Sequence, residues 1–348
     1  MDLLPSEEQK QIINACVSFL ENELPVDRIH KVNESNPLIT RDMLSKMAEL
    51  GWFGLGLSEE QGGVGYGLKE EVLLFVEMGR FLVSPAVLGS VIGAHVAALA
   101  GNKELAAAII SGEKLIAVAV PTHSQKPEVG ATVTGEFYVF DGRDADLILI
   151  ADERAVALVE KSAISIFQTT PCMDEKVQMA LASLECVSTQ ASVPASKDNI
   201  YLRGVLLTAA MLLGIAQATR DRSVAYAKVR EQYGKPIGAF QSIKHYCAEM
   251  AVKCESVMGM LYHAAIVLNN PQGAYGENFQ FDTVAAKALA SNAAQDNANT
   301  AVQIHGGMGF TQEMDIHLFV KRAHVLDQLF GGKRQQLRKL ISLSGPVL

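Results

Sequence analysis

Two glycine-rich segments are the first candidates for ligand-binding chemistry in this sequence. Residues 62–67, GGVGYG, follow a helical pattern and lack the strand-turn-helix context of a dinucleotide-binding fingerprint, so a turn is the favoured interpretation. Residues 306–309, GGMG, lie between two helical patterns. They are typical of a tight interhelical connection, and their bare backbone would also let a cofactor approach closely.

A group of histidines and acids in one short segment is a second candidate, namely His305, Glu313, Asp315, His317 and His324. His317 and His324 are seven residues apart and share one helical face. Metal sites need ligands that converge more tightly and that are oriented by further hydrogen bonds. We therefore expect no metal site and interpret these histidines as polar residues of an interface.

Three stretches of different periodicity must position these residues. Residues 1–113 have apolar residues at helical spacing, including one run over 88–110. Residues 114–197 contain short runs rich in β-branched and aromatic residues, which predict a small β domain. Residues 198–348 contain long helical patterns joined by short loops, which predict a bundle. The expected fold class is mainly α with a middle β domain.

The composition excludes several classes of protein. Of the 348 residues, 49% are hydrophobic and 20% are charged, which is typical of a folded protein with enough apolar surface for an oligomer. Lys and Arg number 30 against 38 for Asp and Glu, a net charge of −8 that leaves no broad basic face for nucleic acid. The longest apolar stretches fall short of the roughly 18 to 20 residues that span a bilayer, so we expect no membrane partner.

The first residues and the cysteines indicate a compartment. MDLLPSEEQK has no basic segment followed by an apolar run, unlike a signal or transit peptide. The five cysteines show no CxxC spacing, which favours reduced thiols over a disulfide framework. We therefore expect a cytoplasmic protein.

Four segments in one order resemble the acyl-CoA dehydrogenase family. They are residues 49–67, ELGWFGLGLSEEQGGVGYG; 77–80, EMGR; 226–251, YAKVREQYGKPIGAFQSIKHYCAEMA; and 303–310, QIHGGMGF. The resemblance covers nearly the whole chain and is highly specific in the third segment. It implies an N-terminal helical domain, a middle β domain and a C-terminal four-helix domain, assembled as a dimer of dimers with FAD at subunit interfaces.

One half of a flavin site matches the family. Arg230 corresponds to the arginine that contacts the FAD pyrophosphate, and a guanidinium suits a bidentate phosphate contact. Tyr233 stands at the family's usual phenylalanine beside the cofactor, and Ile237 at an apolar contact to it. The positions around the adenosine and pyrophosphate are matched by Gln241, Gln303, Gly306 and Gly307. The resemblance therefore implies that this chain lends half of a flavin site to a neighbour.

The other half departs from the family. Family members carry a tyrosine-threonine-glutamate-proline-glycine type of loop in the β domain, followed by a tryptophan-isoleucine-threonine type of strand. Residues 119–125, AVPTHSQ, stand in place of the first motif, and the only tryptophan is Trp52 in the N-terminal region. We expect the half of the site that receives the flavin ring and the thioester to have lost the family's contact residues.

The sequence also differs from the family at the positions of the catalytic base. The family's reaction removes a proton α to a thioester carbonyl while hydride leaves the β carbon, so it needs a carboxylate over the acyl chain. The two places where relatives keep that glutamate correspond here to Gly331 and Gly204. Glu313, Asp315 and Asp327 remain candidates only with a rearranged backbone, and we expect no catalytic residue in this chain.

These features resemble the smaller, base-lacking subunit of heterotetrameric α2β2 acyl-CoA dehydrogenases of bacterial steroid side-chain and dicarboxylate degradation. The resemblance implies a larger partner subunit that carries the glutamate and most of the acyl-CoA site. It also implies that electron-transfer flavoprotein or a similar protein accepts the electrons. The histidines of residues 305–324 would then face CoA or an interface.

Two alternatives remain open at this point. One is a self-sufficient homo-oligomeric flavoenzyme with a relocated base, which flavin bound to the chain alone would favour. The other is a flavin-free scaffold, which an Arg230 change without effect on flavin content would favour.

Overall fold

The computed structural model describes residues 5–33, 36–122, 126–272 and 278–343. Among these residues, five α-helices form the first region: α1 Glu7–Glu23, α2 Arg41–Glu49, α3 Leu68–Arg80, α4 Pro85–Ala100 and α5 Lys103–Ile110. The first of them begins at a capping box, in which the Ser6 hydroxyl accepts from the Gln9 amide and the Gln9 side chain accepts from the Ser6 amide.

The prediction of one helical run over 88–110 is wrong in one respect. Gly101 ends α4 in the left-handed region, at φ +83°, and Asn102 caps the next helix by accepting from the Leu105 amide at 3.1 Å. A glycine of this kind is a common helix stop because it lacks the β carbon that disfavours this backbone conformation. The apolar periodicity continues across the break, which hid it in the sequence.

The middle region is one sheet of eight strands. They are β1 Ile116–Pro121, β2 Glu128–Val129, β3 Thr132–Phe140, β4 Leu147–Ala151, β5 Ala155–Glu160, β6 Ile166–Thr170, β7 Met179–Ser188 and β8 Ala191–Pro194. Their order is β6-β7-β3-β1-β4-β5-β8, with β2 beside β3. The β1–β4 pair is parallel, with Val118 opposite Leu149, and the other pairs are antiparallel.

The last region contains five α-helices, of which the first three are the longest in the described part of the chain. They are α6 Ile200–Val229, α7 Gln241–Asn269, α8 Phe279–His305, α9 Ile316–Gln328 and α10 Lys333–Ser342, with a small hairpin of β9 Glu231–Gln232 and β10 Lys235–Pro236 after α6. The central helix is α6, which packs against α3, α7, α8 and α9. The predicted fold class, mainly α with a middle β domain, is confirmed, whereas the predicted limits of the three domains stay predictions.

The crossing of α3 and α6 depends on glycine. A β carbon on Gly79 would lie 2.6 Å from the Met211 carbonyl carbon, and one on Gly214 would lie 2.7 Å from the Arg80 amide nitrogen. Both distances are far below van der Waals contact, so each helix presents a bare glycine to the backbone of the other. This close crossing joins the first and last regions of the chain.

In the part of the chain that the structure describes, two helices, α6 and α7, are long and apolar enough to cross a membrane by length and composition alone. The sequence expectation considered uninterrupted apolar runs and so missed them, because polar and charged residues interrupt both helices, for example Arg203 in α6 and Lys253 in α7. In α6, 89% of the apolar window is buried inside the protein, against 39% in α7. Burial in the core accounts for the apolar character of α6.

Candidate functional site

A tight hairpin presents Tyr233 to solvent. Gln232 pairs with Lys235, and the two residues between them, Tyr233 and Gly234, have φ of +54° and +76°. Positive φ at both central positions is the geometry of a type I′ turn, for which glycine at the second position is well suited. The Tyr233 side chain is 92% exposed, which is unusual for a large aromatic residue.

Arg230 lies at the end of α6, where that hairpin begins. Its carbonyl oxygen accepts from the Ile237 amide at 2.7 Å, while its side chain is exposed. Among the described residues, no carboxylate pairs with Arg230. Ile237 is buried in a small apolar cluster that also contains residues of α6, α7, α8 and α9, namely Ala227, Met250, Ala301, Ile304 and Ile316.

This cluster brings the end of α8 to the same end of the bundle. Gln303, Gly306 and Gly307 are exposed there, and a β carbon on either glycine would meet no atom within 4 Å. The rings of Tyr226 and His305 stack beneath them, with centroids 4.2 Å apart and planes at 24°. The predicted residues thus surround one open surface formed by the ends of α6 and α8 and the start of α7, where Gln241 lies.

His305 is part of the support of that surface and not a free ligand. Its Nδ1 lies 2.7 Å from the Ala301 carbonyl oxygen, and the side chain is buried. Burial lowers the pKa of His305, with the Arg222 charge acting in the same direction against the hydrogen bond to Ala301. The neutral ring therefore donates from Nδ1 and stacks on Tyr226, a pairing that the sequence spacing does not reveal.

A second site contains the two glycines at 204 and 331. Gly204 lies in α6 with the Phe330 ring directly against it, so that an added β carbon would overlap the ring. Gly331 has φ +89°, and its β carbon would lie 2.7 Å from Gln336 Nε2. Neither position accommodates a side chain in this structure.

The backbone around Phe330 is held by three buried side chains. Tyr201 Oη donates to the Phe330 carbonyl oxygen at 3.0 Å, and Gln336 Nε2 donates to the same oxygen at 2.8 Å. Lys287 Nζ donates to the carbonyl oxygens of Leu326 and Leu329 at 3.0 and 3.2 Å. Burial lowers the pKa of Lys287 to about 7 despite the nearby Asp327 charge.

The three acids considered as alternative bases have other surroundings. Glu313 is exposed. Asp315 accepts from His30 Nε2 and from Arg222 Nη1, each at 2.8 Å. Asp327 accepts from the Lys333 amide at 3.1 Å and so caps α10. The last two have structural partners that account for their positions.

A buried ion cluster joins three helices near Gly204. Glu71 of α3 is fully buried, accepts from His95 Nε2 of α4 at 2.7 Å and pairs with Arg203 of α6. Burial raises the pKa of Glu71, but the charges and hydrogen bonds of Arg203 and His95 outweigh it and hold the pKa at about 2. Sequence reasoning missed this cluster because its members are far apart in the chain.

Comparison with known proteins decides the family. The acyl-CoA dehydrogenase N-terminal domain matches residues 6–112 and the C-terminal domain matches residues 203–344. Acyl-CoA dehydrogenase IpdE2 of Mycobacterium tuberculosis is 30% identical over 344 residues, covering 98% of each chain. The chain belongs to the acyl-CoA dehydrogenase family. Acyl-CoA dehydrogenase FadE34 of the same organism is 29% identical over 320 residues, which are 91% of this chain. The matched region is 44% of the length of FadE34, so this chain spans about half of that relative.

Solved acyl-CoA dehydrogenase structures share the fold. A Tcur3481-Tcur3483 steroid ACAD G363A variant superimposes with a TM-score of 0.85 at 22% identity, covering 97% of each chain. The ChsE4-ChsE5 complex from Mycobacterium tuberculosis gives a TM-score of 0.82 at 22% identity, covering 99% of this chain and 100% of the other. At this level of identity the likeness concerns the fold.

FAD, the usual cofactor of acyl-CoA dehydrogenases, fits the open surface at the ends of α6 and α8. The exposed Arg230 guanidinium can contact a pyrophosphate, and the open glycines 306 and 307 leave room for close approach. Exposed Gln241 and Gln303 carry amides that can hydrogen-bond a nucleotide. The role of each residue stays a prediction.

The other half of the family's flavin site is only partly described. Of the segment 119–125, residues 119–121 lie in β1, and residues 123–125 lie outside the described residues. Trp52 is buried, with its ring 5.0 Å from that of Phe19 in an edge-on contact, so it is a core residue of the first region. A groove of about 650 Å³ in that region is lined by residues of α2, α4 and α5 and by Glu60, Gln61 and Gly62, and it contains none of the predicted flavin-site residues.

Proposed function

We propose that this chain is a subunit of an FAD-dependent acyl-CoA dehydrogenase that lends half of a flavin site to a larger partner. One observation carries the proposal. The flavin-facing end of the bundle is open, whereas the two base positions are the glycines 204 and 331 with the Phe330 ring against the first. A chain with this pair of properties can contribute to cofactor binding and leaves proton abstraction to another chain.

The reaction requires a base and a hydride acceptor. FAD, when bound, supplies the acceptor for the hydride that leaves the β carbon. The larger partner supplies the glutamate that removes the α proton and holds most of the acyl-CoA thioester. Electron-transfer flavoprotein or a similar acceptor then reoxidises the complex.

The residues of this chain bind and orient the cofactor. Arg230 would pair with the pyrophosphate, where a charge-assisted contact is stronger than a neutral one. Gln241 and Gln303 would hydrogen-bond the adenosine and pyrophosphate portion. Tyr233 and Ile237 would provide apolar contact at the side of the cofactor.

Exposed apolar side chains support a partner at this end of the chain. Val229 is 75% exposed, Tyr233 92% and Phe310 81%, and all three lie beside the proposed flavin surface. Large apolar residues clustered on a surface commonly mark an interface. A neighbouring subunit that completes the flavin site would cover them.

The names of similar proteins support a substrate class. One structurally similar protein is a steroid ACAD, and another belongs to the ChsE4-ChsE5 complex. We propose a steroid side-chain or dicarboxylyl CoA thioester as substrate, an α2β2 assembly with two working sites, and a cytoplasmic location. The acyl chain would be recognised mainly by the larger subunit.

Co-expression with a larger acyl-CoA dehydrogenase chain from the same genome tests the proposal. Reduction of an artificial acceptor would be measured with butyryl-CoA, glutaryl-CoA and a steroid side-chain CoA thioester, for each chain alone and for the complex. We expect turnover only in the complex, and loss of turnover when the partner's catalytic glutamate is changed to glutamine. Turnover by this chain alone would instead support the self-sufficient flavoenzyme.

A further inference from the structure

The helices support the eight-stranded sheet unevenly. Among the described residues, α4 packs against β1, β4, β5 and β8, and α6 packs against β5. The three strands at the other end of the sheet, β6, β7 and β3, have no more than marginal contact with any helix, and we call them the outer strands. Pairing of β3 with β1 links them to the rest of the sheet. Their attachment to the helical regions therefore depends on contacts other than helix packing.

The guanidinium of Arg322 in α9 joins all three regions of the chain. The residue is 1% exposed, and its Nε donates at 2.6 Å to Asp174, a buried residue in the loop between β6 and β7. Its Nη1 donates to the carbonyl oxygens of Leu82 and, at 3.1 Å, of Val83, in the turn between α3 and α4. One side chain of the last region thus holds both the loop of the outer strands and a turn of the first region.

Two neighbouring contacts reach the same end of the outer strands. The Ser84 hydroxyl donates to Asp141, the residue that directly follows β3. Lys176, in the loop between β6 and β7, donates from Nζ to the carbonyl oxygens of His30 and Val32, each at 3.2 Å. The end of β3 lies beside the start of β7 in the antiparallel sheet, so all these contacts hold the outer strands at one end.

Burial makes the Arg322 pair the dominant contact of this group. Removing one partner of a buried ion pair leaves an unpaired charge in the interior, which is strongly destabilising. By contrast, the pair of Lys321 with Glu175, at 3.4 Å, lies near the surface, where ion pairs contribute little. The loss of Arg322 would therefore cost this junction much more than the loss of a surface charge.

We propose that Arg322 is a latch that holds the outer strands against the helices, so that its removal opens this end of the sheet as a unit. The strands beneath α4 would stay in place, because helix packing covers them. Proteins commonly open in such contiguous units, at free energies below that of global unfolding. The latch involves neither flavin nor a partner chain, so this chain alone can be used to test it.

Hydrogen–deuterium exchange of the full chain, followed by mass spectrometry, is the test. We expect Arg322→Met to speed exchange in β3 and β7 by about 100-fold or more, while β4 and β5 stay protected over the same labelling time. Asp174→Asn should give the same pattern, because it breaks the contact on the side of the outer strands. Arg41→Met is the matched control, since Arg41 of α2 pairs with Asp146 beside β4 at 2.7 Å and is exposed. Exchange in β3 and β7 should then stay within roughly twofold of wild type.

Two results would overturn the proposal. One is unchanged protection of β3 and β7 in folded Arg322→Met. The other is loss of protection in β4 and β5 at the same labelling times, because the whole sheet would then depend on Arg322 and no separate unit would open. If Arg322→Met does not fold, Arg322→Lys and Asp174→Asn decide. The lysine keeps the charge and loses the fork of donors, so unchanged β3 and β7 in both variants would count against the latch.

Discussion

The Ile237 amide donates to the carbonyl oxygen of Arg230 at 2.7 Å, which closes the hairpin between the last turn of α6 and the start of α7. The contact uses only the backbone of Arg230. The guanidinium remains exposed, without a carboxylate partner among the described residues. A substitution at this position therefore removes a charge and leaves the fold of the hairpin intact.

Arg230→Ala is expected to weaken FAD binding by the complex by about 1.5 to 3 kcal/mol, roughly 10- to 150-fold in Kd, because a charge-assisted contact to phosphate is lost. Arg230→Lys should retain only part of the affinity for FAD, since an ammonium group cannot make the planar two-bond contact. Flavin fluorescence titration measures the change. Arg338→Ala, at an exposed arginine of α10, is the control. An unchanged Kd in Arg230→Ala would favour the flavin-free scaffold.

The acids of this chain are expected to be dispensable for proton abstraction. Glu313→Gln, Asp315→Asn and Asp327→Asn should each leave the turnover of a flavin-loaded complex within a fewfold of wild type, whereas loss of a base costs roughly 10² to 10⁴-fold. Asp315→Asn should also lower Tm, because Asp315 accepts from both His30 and Arg222. A loss of turnover on the larger scale in any one variant with normal flavin content would identify a base in this chain.

Gly204→Ala should lower the free energy of unfolding by about 1 to 3 kcal/mol, because its methyl group overlaps the Phe330 ring. The cost should largely disappear in the Phe330→Ala background. Urea denaturation of the four proteins of this double-mutant cycle measures the coupling. Gly259→Ala is the matched control, since Gly259 lies in α7 with no atom within 4 Å of an added β carbon, and alanine there should be neutral or stabilising. Additive effects at Gly204 and Phe330 would contradict the contact.

Acid should destabilise the protein through Glu71. Its folded-state pKa of about 2 lies below the ordinary value of 4.5, so its contribution is fully present above pH 4.5 and is lost as pH falls toward 2. The shift corresponds to about 3 kcal/mol. Glu71→Gln should be destabilised most at neutral pH, where Arg203 loses its partner, and should approach wild type in acid. A stability difference that does not change between pH 6 and pH 3 would contradict this.

The sequence predicts the long helices well because their apolar periodicity is strong and their ends carry local signals. Residues 201–229, for example, have a helical pattern without proline, and α6 spans Ile200–Val229. The sequence does not predict β7, because its residues, MALASLECVS, are poor in strand-forming types. Pairing with β3 and β6 holds this strand in the sheet. Tertiary pairing, absent from any local pattern, decides this strand.

Some features of the candidate site likewise follow from the sequence, and others do not. The positions of Arg230 and Gly306 follow from motifs that are contiguous in sequence. The contact of Gly204 with Phe330 and the burial of Glu71 beside His95 depend on which helices cross, and residue types alone do not reveal it. Glycine at 204 was predicted as the loss of a base, but the ring that requires it could only be found in the structure.

The ratio of flavin to protein in the co-expressed complex distinguishes a flavin site shared between two chains from a complete site in each chain. Absorbance of released FAD, together with the mass of the intact complex, gives the number of flavins per chain. We expect about one FAD per two chains in an α2β2 assembly, and little or no flavin on this chain purified alone. A homotetramer of this chain with a full complement of FAD and turnover of an acyl-CoA would contradict the account.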